Sequence, residues 1–178
     1  MFNLQSRIKG NDEDRQYLET RIAVRDRLVA QEMKDLENTM RGQNRWKLQV
    51  PDSSTIHEML LTVTPQEGLY KGGVFRFKIT VPPEYNNVPP VVKCLTKLWH
   101  PNITEDGAIC LSILRQNSLD HYGWKPTRNL REVVQGLTDL FGDLMDFGDP
   151  LNIQAAKMWG NSQENFKYQV NDYIRKYC

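Results

Sequence analysis

The chain has 178 residues, of which 39% are hydrophobic and 25% are charged, and its formal net charge at pH 7 is +1. This length and composition favour one globular domain with an extension. The near-zero net charge gives no case for bulk electrostatic binding to nucleic acid or to an anionic membrane. No apolar run approaches the ~20 residues of a membrane span. We therefore expect this chain to bind neither nucleic acid nor a membrane.

The first 20 residues are polar and charged, but Phe2, Leu4 and Ile8 are apolar side chains among them. They form either an untethered terminus or a short docking peptide that folds on a partner. We therefore divide the chain into a flexible N-terminal extension, residues 1–20, and a folded core, residues 21–178.

The core begins with a helical pattern and continues with strands. Apolar residues at helical spacing predict an amphipathic helix over residues 22–40, with Gly42 just past its end. Strand-like segments follow at residues 45–50, 58–64, 74–81 and 91–97, separated by turn signals. Their short connections predict antiparallel neighbours, and hence a four-stranded meander.

Helices fill the last third of the chain. After a polar loop at residues 115–123, a helix begins near Leu130, where Asn129 and Glu132 form a reciprocal cap, and its apolar face extends to Leu144. Asn152 and Ser162 cap two further helices. The order of elements predicts an α+β fold in which helices cover one face of an antiparallel sheet.

Three widely spaced cysteines, Cys94, Cys110 and Cys178, argue against a disulfide framework and for a reducing compartment. The three histidines share no metal-ligand spacing with one another or with the cysteines. The sequence therefore predicts no metal site and no small-molecule cofactor.

The segment from residue 100 to 111, HPNITEDGAICL, is the most informative in the chain. It places Cys110 eight residues after Asn102, with a glycine-containing turn between them. A thiolate and an amide donor held together can form an acyl thioester and stabilise the oxyanion made when it is attacked. No histidine or carboxylate has the local spacing of a hydrolase, so acyl transfer is favoured over hydrolysis. The alternative is that Cys110 is a buried structural thiol.

This segment also resembles the active site of ubiquitin-conjugating enzymes, in which H-P-N is followed by G-x-I-C-L. The resemblance covers residues ~21–178 and includes Tyr85 before Pro89-Pro90, Trp124-Lys125-Pro126 and Asp149-Pro150-Leu151. The runs YNNVPP and VKCLTK resemble the neddylation branch, closest to its type F. The implied fold is that of ubiquitin-conjugating enzymes, a four-stranded antiparallel meander with about four helices.

The resemblance implies a role for each matching site residue. Cys110 accepts the carboxyl terminus of a ubiquitin-like modifier from an activating enzyme, which is the protein that consumes ATP. Asn102 either donates to the oxyanion or holds the active-site loop. Asp149 positions the substrate lysine, or is only a turn residue before Pro150. His100 is structural, and Ser112 borders the substrate channel where many relatives have an acidic residue.

The resemblance also implies partners. A RING-type ligase is expected at Tyr85, Asn87, Val88, Trp124, Lys125 and Pro126. The neddylation activating enzyme, or a cullin-neddylation co-ligase, is expected at Met1, Phe2, Leu4, Ile8, Arg21 and Arg25. The substrates would be cullin lysines, the location the cytoplasm and nucleus, and the protein a monomer.

Three rival functions stay open at this point. The same chemistry could carry ubiquitin or another modifier, because modifier choice is set by contacts with the activating enzyme. The fold could be a non-catalytic scaffold, although such variants usually lack the cysteine that this chain keeps. A cysteine hydrolase is disfavoured because no base is placed to activate water.

Overall fold

The structure, a computed structural model, describes residues 4–178, apart from the side chains of residues 4–9 and 40. The predicted docking residues Met1 and Phe2 lie outside the described residues, as do the side chains of Leu4 and Ile8. The elements in chain order are helix α1 (Leu4–Met40), strands β1 (Trp46–Gln49), β2 (Glu58–Val63), β3 (Phe75–Thr80) and β4 (Val91–Cys94), a 3-10 turn (Ser112–Leu114), and helices α2 (Leu130–Asp139), α3 (Ile153–Asn161) and α4 (Gln163–Tyr177).

The four strands form one antiparallel sheet in the order β1-β2-β3-β4, which confirms the predicted meander and the α+β fold class. On β3, Phe75, Phe77 and Ile79 are buried while the residues between them face outward. The buried side chains of β1, β2 and β3 join those of α2 and α4 in one core cluster. One face of the sheet is therefore buried by the two-residue alternation of its strands.

Strand β4 ends at Cys94, three residues earlier than predicted. The amide of Leu95 still donates to the carbonyl of Arg76 at 2.7 Å. The amide of Arg76, however, donates to the hydroxyl Oγ1 of Thr96 at 2.9 Å. The ladder ends because a side-chain oxygen replaces the backbone acceptor.

Helix α1 begins at Leu4, about 18 residues before the predicted start. Its apolar period begins only near Ile22, and the side chains from residue 10 to 20 are all exposed. The first part is supported by charge pairs one turn apart, since Arg15 lies 3.3 Å from Asp12 and 3.9 Å from Glu19. A polar helix of this kind gives no hydrophobic signal, and whether residues 1–20 act as a docking extension stays a prediction.

Helix α2 starts at Leu130 with the predicted cap. The Asn129 side chain accepts from the amide of Glu132 at 3.1 Å, and the Glu132 carboxylate accepts from the amide of Asn129 at 3.2 Å. The helix ends at Asp139, where the sequence pattern continued to Leu144. The extension was wrong because the Asp139 carbonyl accepts the amides of Gly142 and Leu144, each at 2.9 Å, and this turn leaves Leu144 47% exposed.

The predicted caps of the last two helices are confirmed. Asn152 accepts from the amide of Ala155 at 3.1 Å, and Ser162 accepts from the amide of Asn165 at 3.2 Å. Phe166 and Val170 of α4 are buried, whereas Tyr177, in the last turn of that helix, is 43% exposed.

Neither a helix long and apolar enough to cross a bilayer nor a group of three metal-binding side chains occurs among residues 4–178.

Candidate active site

The segment that carries Cys110 folds back against the end of β4. The amide of Cys94 donates to the carbonyl of Gly107 at 3.0 Å. Gly107 has φ +94°, and a Cβ added there would lie 2.1 Å from the carbonyl oxygen of Cys94. Glycine is therefore required both for the backbone conformation and for the close approach. The turn at Gly107 positions the backbone that leads to Cys110 against the end of β4.

Cys110 is partly exposed and lies in a small cleft of about 200 Å³. Its amide donates to the carbonyl of Asn102 at 2.8 Å, which joins the two ends of the predicted motif. Cys94 provides the contrast, because it is 3% exposed and burial raises the pKa of its thiol to about 12. The interpretation of Cys110 as a buried structural thiol is therefore wrong.

The side chain of Asn102 is held by the backbone of Asp146. Its Nδ2 donates to the Asp146 carbonyl at 2.8 Å, and its Oδ1 accepts from the Asp146 amide at 2.8 Å. Asn102 is 3% exposed. Of the two roles predicted for it, holding the active-site loop is the one these hydrogen bonds perform directly.

His100 is fully buried, and both ring nitrogens are engaged. Nε2 lies 2.7 Å from the Leu140 carbonyl, to which it must donate, and Nδ1 accepts from the amide of Asn102 at 2.9 Å. This pattern fixes the neutral tautomer, and burial lowers the pKa of His100 to about 4. The geometry agrees with the predicted structural role.

Asp149 and Ser112 line the same cleft as Cys110. The segment that follows Asp149 is tied to the motif, because the amides of Leu151 and Asn152 both donate to the Pro101 carbonyl at 2.8 Å. The Asp149 amide itself approaches the Asp146 carboxylate at 3.3 Å, as a turn residue would. Its exposed carboxylate lines the cleft, so both predicted roles fit its position.

Arg115 is a cleft residue that the sequence analysis missed. Its Nη2 lies 3.6 Å from the sulfur of Cys110, within the range of a hydrogen bond to sulfur. The sequence pattern placed Arg115 only at the start of a polar loop. A cation one short turn after a nucleophile is the signal that could have identified it.

The two predicted ligase-binding segments meet on one surface. Trp124 Nε1 donates to the Asn86 carbonyl at 2.9 Å, and Asn86 Nδ2 donates to the Pro126 carbonyl at 2.8 Å. Asn87, Lys125 and Pro126 are exposed there, and Val88 is half-buried.

Two of the predicted ligase contacts are instead core residues. Trp124 is 8% exposed, and Tyr85 is fully buried, with its hydroxyl donating to the Glu32 carboxylate at 2.8 Å. The structure therefore corrects the prediction for these aromatic rings, because they support the surface from beneath and leave little area for a partner.

The predicted docking arginines are also held within the chain. Arg25 is 5% exposed, donates to the Val81 carbonyl at 3.3 Å and pairs with Asp26 at 2.9 Å. Arg21 is half-buried and donates to the Tyr85 carbonyl at 2.7 Å. Both arginines fasten α1 to the loop after β3, so Arg25 in particular offers almost no surface for the predicted contact.

Comparison with known proteins places this site in a family. Residues 28–174 match the model of the family described as ubiquitin-conjugating enzyme. The chain is 69% identical to the NEDD8-conjugating enzyme ubc-12 of Caenorhabditis elegans over the whole length of both proteins. It is 52% identical to the human NEDD8-conjugating enzyme UBE2F, over 89% of this chain and 84% of the relative, and 48% identical to the zebrafish (Danio rerio) protein of that name over the same shares.

These matches confirm the resemblance read from the HPN segment, and the relatives named come from the neddylation branch. The chain belongs to the ubiquitin-conjugating enzyme family, and it is a transferase that works through a thioester intermediate.

Proposed function

We propose that this chain is a NEDD8-conjugating enzyme that carries the modifier on Cys110 and transfers it to substrate lysines. The observation that carries the proposal is the 69% identity to a NEDD8-conjugating enzyme over the whole of both chains. The partly exposed Cys110 in its cleft with Asp149 supports it, since a carried acyl group needs an accessible thiol and an acceptor channel.

The proposed reaction has two acyl transfers. The sulfur of Cys110 first attacks the thioester carbonyl on the activating enzyme, whose own thiolate leaves. The lysine nitrogen then attacks the new thioester, an isopeptide bond forms, and the Cys110 thiolate leaves. Asp149 orients the lysine and assists loss of its proton, while Asn102 keeps the loop in place through Asp146.

The hydrolase alternative lacks a histidine base in the described cleft. His100 uses both ring nitrogens in buried hydrogen bonds, and neither His57 nor His121 lines the described cleft. Water in the cleft is therefore not activated by an imidazole, which favours an amine acceptor that brings its own nucleophilic nitrogen.

The surface formed by the exposed residues Asn87, Lys125 and Pro126 and the half-buried Val88 is the part of our proposal that concerns a RING-type ligase. It is supported by the hydrogen bonds of Asn86, which hold its two loops together. We further propose that the acceptors are cullin lysines, that Met1, Phe2, Leu4 and Ile8 dock on the activating enzyme or a co-ligase, and that the protein works in the cytoplasm and nucleus. The reducing compartment that this requires agrees with three free cysteines.

A loading assay tests the proposed function. The protein is mixed with ATP, the NEDD8 activating enzyme and NEDD8, or with the ubiquitin pair, and run on a non-reducing gel. We expect an adduct with the NEDD8 pair alone, sensitive to reductant. Cys110→Ala should form none, and Cys110→Ser should form an oxygen ester that resists reductant.

Each contrary result selects a rival. An adduct with the ubiquitin pair alone would keep the chemistry and overturn the choice of modifier. No adduct with either pair, from a protein shown to be folded by circular dichroism, would favour the scaffold.

A further inference from the structure

The guanidinium of Arg115 approaches the reacting atom of the site. Nη2 lies 3.6 Å from the sulfur of Cys110, and both residues line the cleft that also holds Asp149. The pKa of Arg115 is raised by its hydrogen bond to Cys110 and by the electrostatic interaction with that side chain, with smaller contributions from Asp120 and Asp149. A permanently charged donor therefore lies where negative charge develops during acyl transfer.

The backbone of Arg115 is fixed on both sides. Its amide donates to the Ser112 carbonyl at 3.0 Å, which closes the 3-10 turn that follows Cys110. Its carbonyl accepts from the amide of Trp124 at 2.8 Å, and the Trp124 ring is anchored on Asn86. The position from which the side chain reaches the sulfur is thus set by the fold, although the side chain itself is exposed.

Asn102, the residue that the sequence predicts as a hydrogen-bond donor to the oxyanion, already uses its side-chain amide elsewhere. Asn102 makes two hydrogen bonds of 2.8 Å to the backbone of Asp146. Redirecting its Nδ2 toward the oxyanion would cost a part-buried hydrogen bond. Arg115 has no such cost, because its contact with Cys110 is made at the surface of the cleft.

From this geometry we infer that Arg115 is a catalytic residue that stabilises the negative charge on the Cys110 sulfur during acyl transfer. When the lysine nitrogen bonds to the thioester carbon, the carbonyl electrons move to oxygen. As they return, the carbon–sulfur bond breaks and its electron pair stays on sulfur, facing Arg115, while the Asp149 carboxylate assists loss of the amine proton. The inference rests on the proposed function for its cargo, but the charge contact exists in the free protein.

The contact can be tested without any modifier. In a Cys178→Ser background, which removes the exposed terminal thiol, the alkylation rate with anionic iodoacetate is divided by the rate with neutral iodoacetamide. Cys94 is buried, so the ratio reports the charge near Cys110. We expect Arg115→Gln to lower this ratio about threefold and Arg115→Lys to preserve most of it. An unchanged ratio in Arg115→Gln would overturn the inference.

The catalytic role is tested by single-turnover discharge. Protein loaded with NEDD8 is separated from the activating enzyme and given free lysine, so that no ligase or activating-enzyme contact contributes. We expect Arg115→Gln to slow discharge about tenfold, with rescue by Arg115→Lys. The matched control is Arg45→Gln, an exposed arginine before β1, at the sheet edge opposite β4.

The outcomes separate the inference from the proposed function. Discharge of Arg115→Gln within twofold of wild type would overturn the catalytic role. Failure of the wild-type protein to load would overturn the proposed function, and the haloacetate ratio would still decide whether Arg115 faces the sulfur.

Discussion

Asn102 and Asp146 are joined by a pair of hydrogen bonds, each 2.8 Å long, in which the asparagine amide both donates to and accepts from one backbone unit. Because the carbonyl of Asn102 also accepts from the amide of Cys110, a single residue links the nucleophile to the loop that precedes Asp149. The side chain of Asn102 therefore acts as a brace for the cleft, because it holds the Asp146 loop in place.

The first prediction follows from this brace. Asn102→Ala should lower the free energy of unfolding by about 3 kcal/mol, because two backbone groups of Asp146 lose their partners. Urea denaturation measures the change, and Asn171→Ala, an exposed site on α4, should stay within about 0.5 kcal/mol of wild type. Slower discharge without loss of stability would instead assign Asn102 to the oxyanion.

Asp149 is predicted to act on the acceptor lysine. Asp149→Asn should slow discharge to free lysine about tenfold or more, because the amide neither attracts the ammonium nor takes its proton. Loading of Cys110 should be near normal in the same protein. Asp143→Asn provides the control, since Asp143 is exposed in the preceding turn and does not line the cleft. Equal discharge by both variants would leave Asp149 as a turn residue.

His100 predicts a pH dependence of stability. Burial lowers its pKa from 6.5 to about 4, so between these values the unfolded state binds a proton that the folded state does not. The neutral imidazole of His100 therefore contributes its full stabilisation of the folded state above pH 6.5. This contribution is lost as the pH falls to about 4, which lowers the free energy of unfolding by about 3 kcal/mol.

This dependence is measured by urea denaturation of wild type and His100→Gln from pH 7.5 to 4. The difference between the two proteins removes the contributions of the carboxylates and of His57 and His121. We expect the variant to be less stable at pH 7.5 and to lose less stability on acidification. Parallel pH profiles would contradict the buried neutral histidine.

Tyr85 and Asn87 are predicted to have different roles although they are two residues apart. Burial and the nearby charge of Glu32 raise the pKa of Tyr85, so its phenol stays protonated and donates to that carboxylate. Tyr85→Phe should lower the free energy of unfolding by about 2 kcal/mol and leave ligase-stimulated discharge unchanged once folded. Asn87→Ala should leave the free energy of unfolding unchanged and slow ligase-stimulated discharge. A ligase defect confined to Tyr85→Phe would show that the phenol reaches the partner.

The N-terminal extension gives a fifth prediction. Removing residues 1–15 should slow loading by the activating enzyme, or transfer to a cullin, if the extension docks on a partner. Thermal stability should not change, because the described side chains from residue 10 to 15 are exposed. Discharge to free lysine is the internal control, since it needs no docking. Equal loading and cullin transfer with the truncated protein would end the docking hypothesis.

The elements that the sequence predicted well are those set by neighbours along the chain. The alternation on β3 and the caps at Asn129, Asn152 and Ser162 depend on side chains within about four residues. The first half of α1 was missed because its support is charge pairing, as between Arg15 and Asp12, and not apolar spacing. The end of α2 was misplaced because Leu144 continues the apolar pattern while the backbone has already turned.

A short motif with fixed spacing, together with the order of helices and strands, was enough to predict the fold class, the family and the residues most worth testing, Cys110 and Asn102. The contacts of each side chain depend instead on packing between distant segments, which residue spacing does not show. Asp146 lies 44 residues from Asn102, and Glu32 lies 53 residues from Tyr85. The first hydrogen bond shows that the Asn102 side chain holds a loop, and the second shows that the Tyr85 hydroxyl is engaged within the protein. Arg115 is near Cys110 in sequence, but its charge meets the sulfur only because the 3-10 turn directs it there.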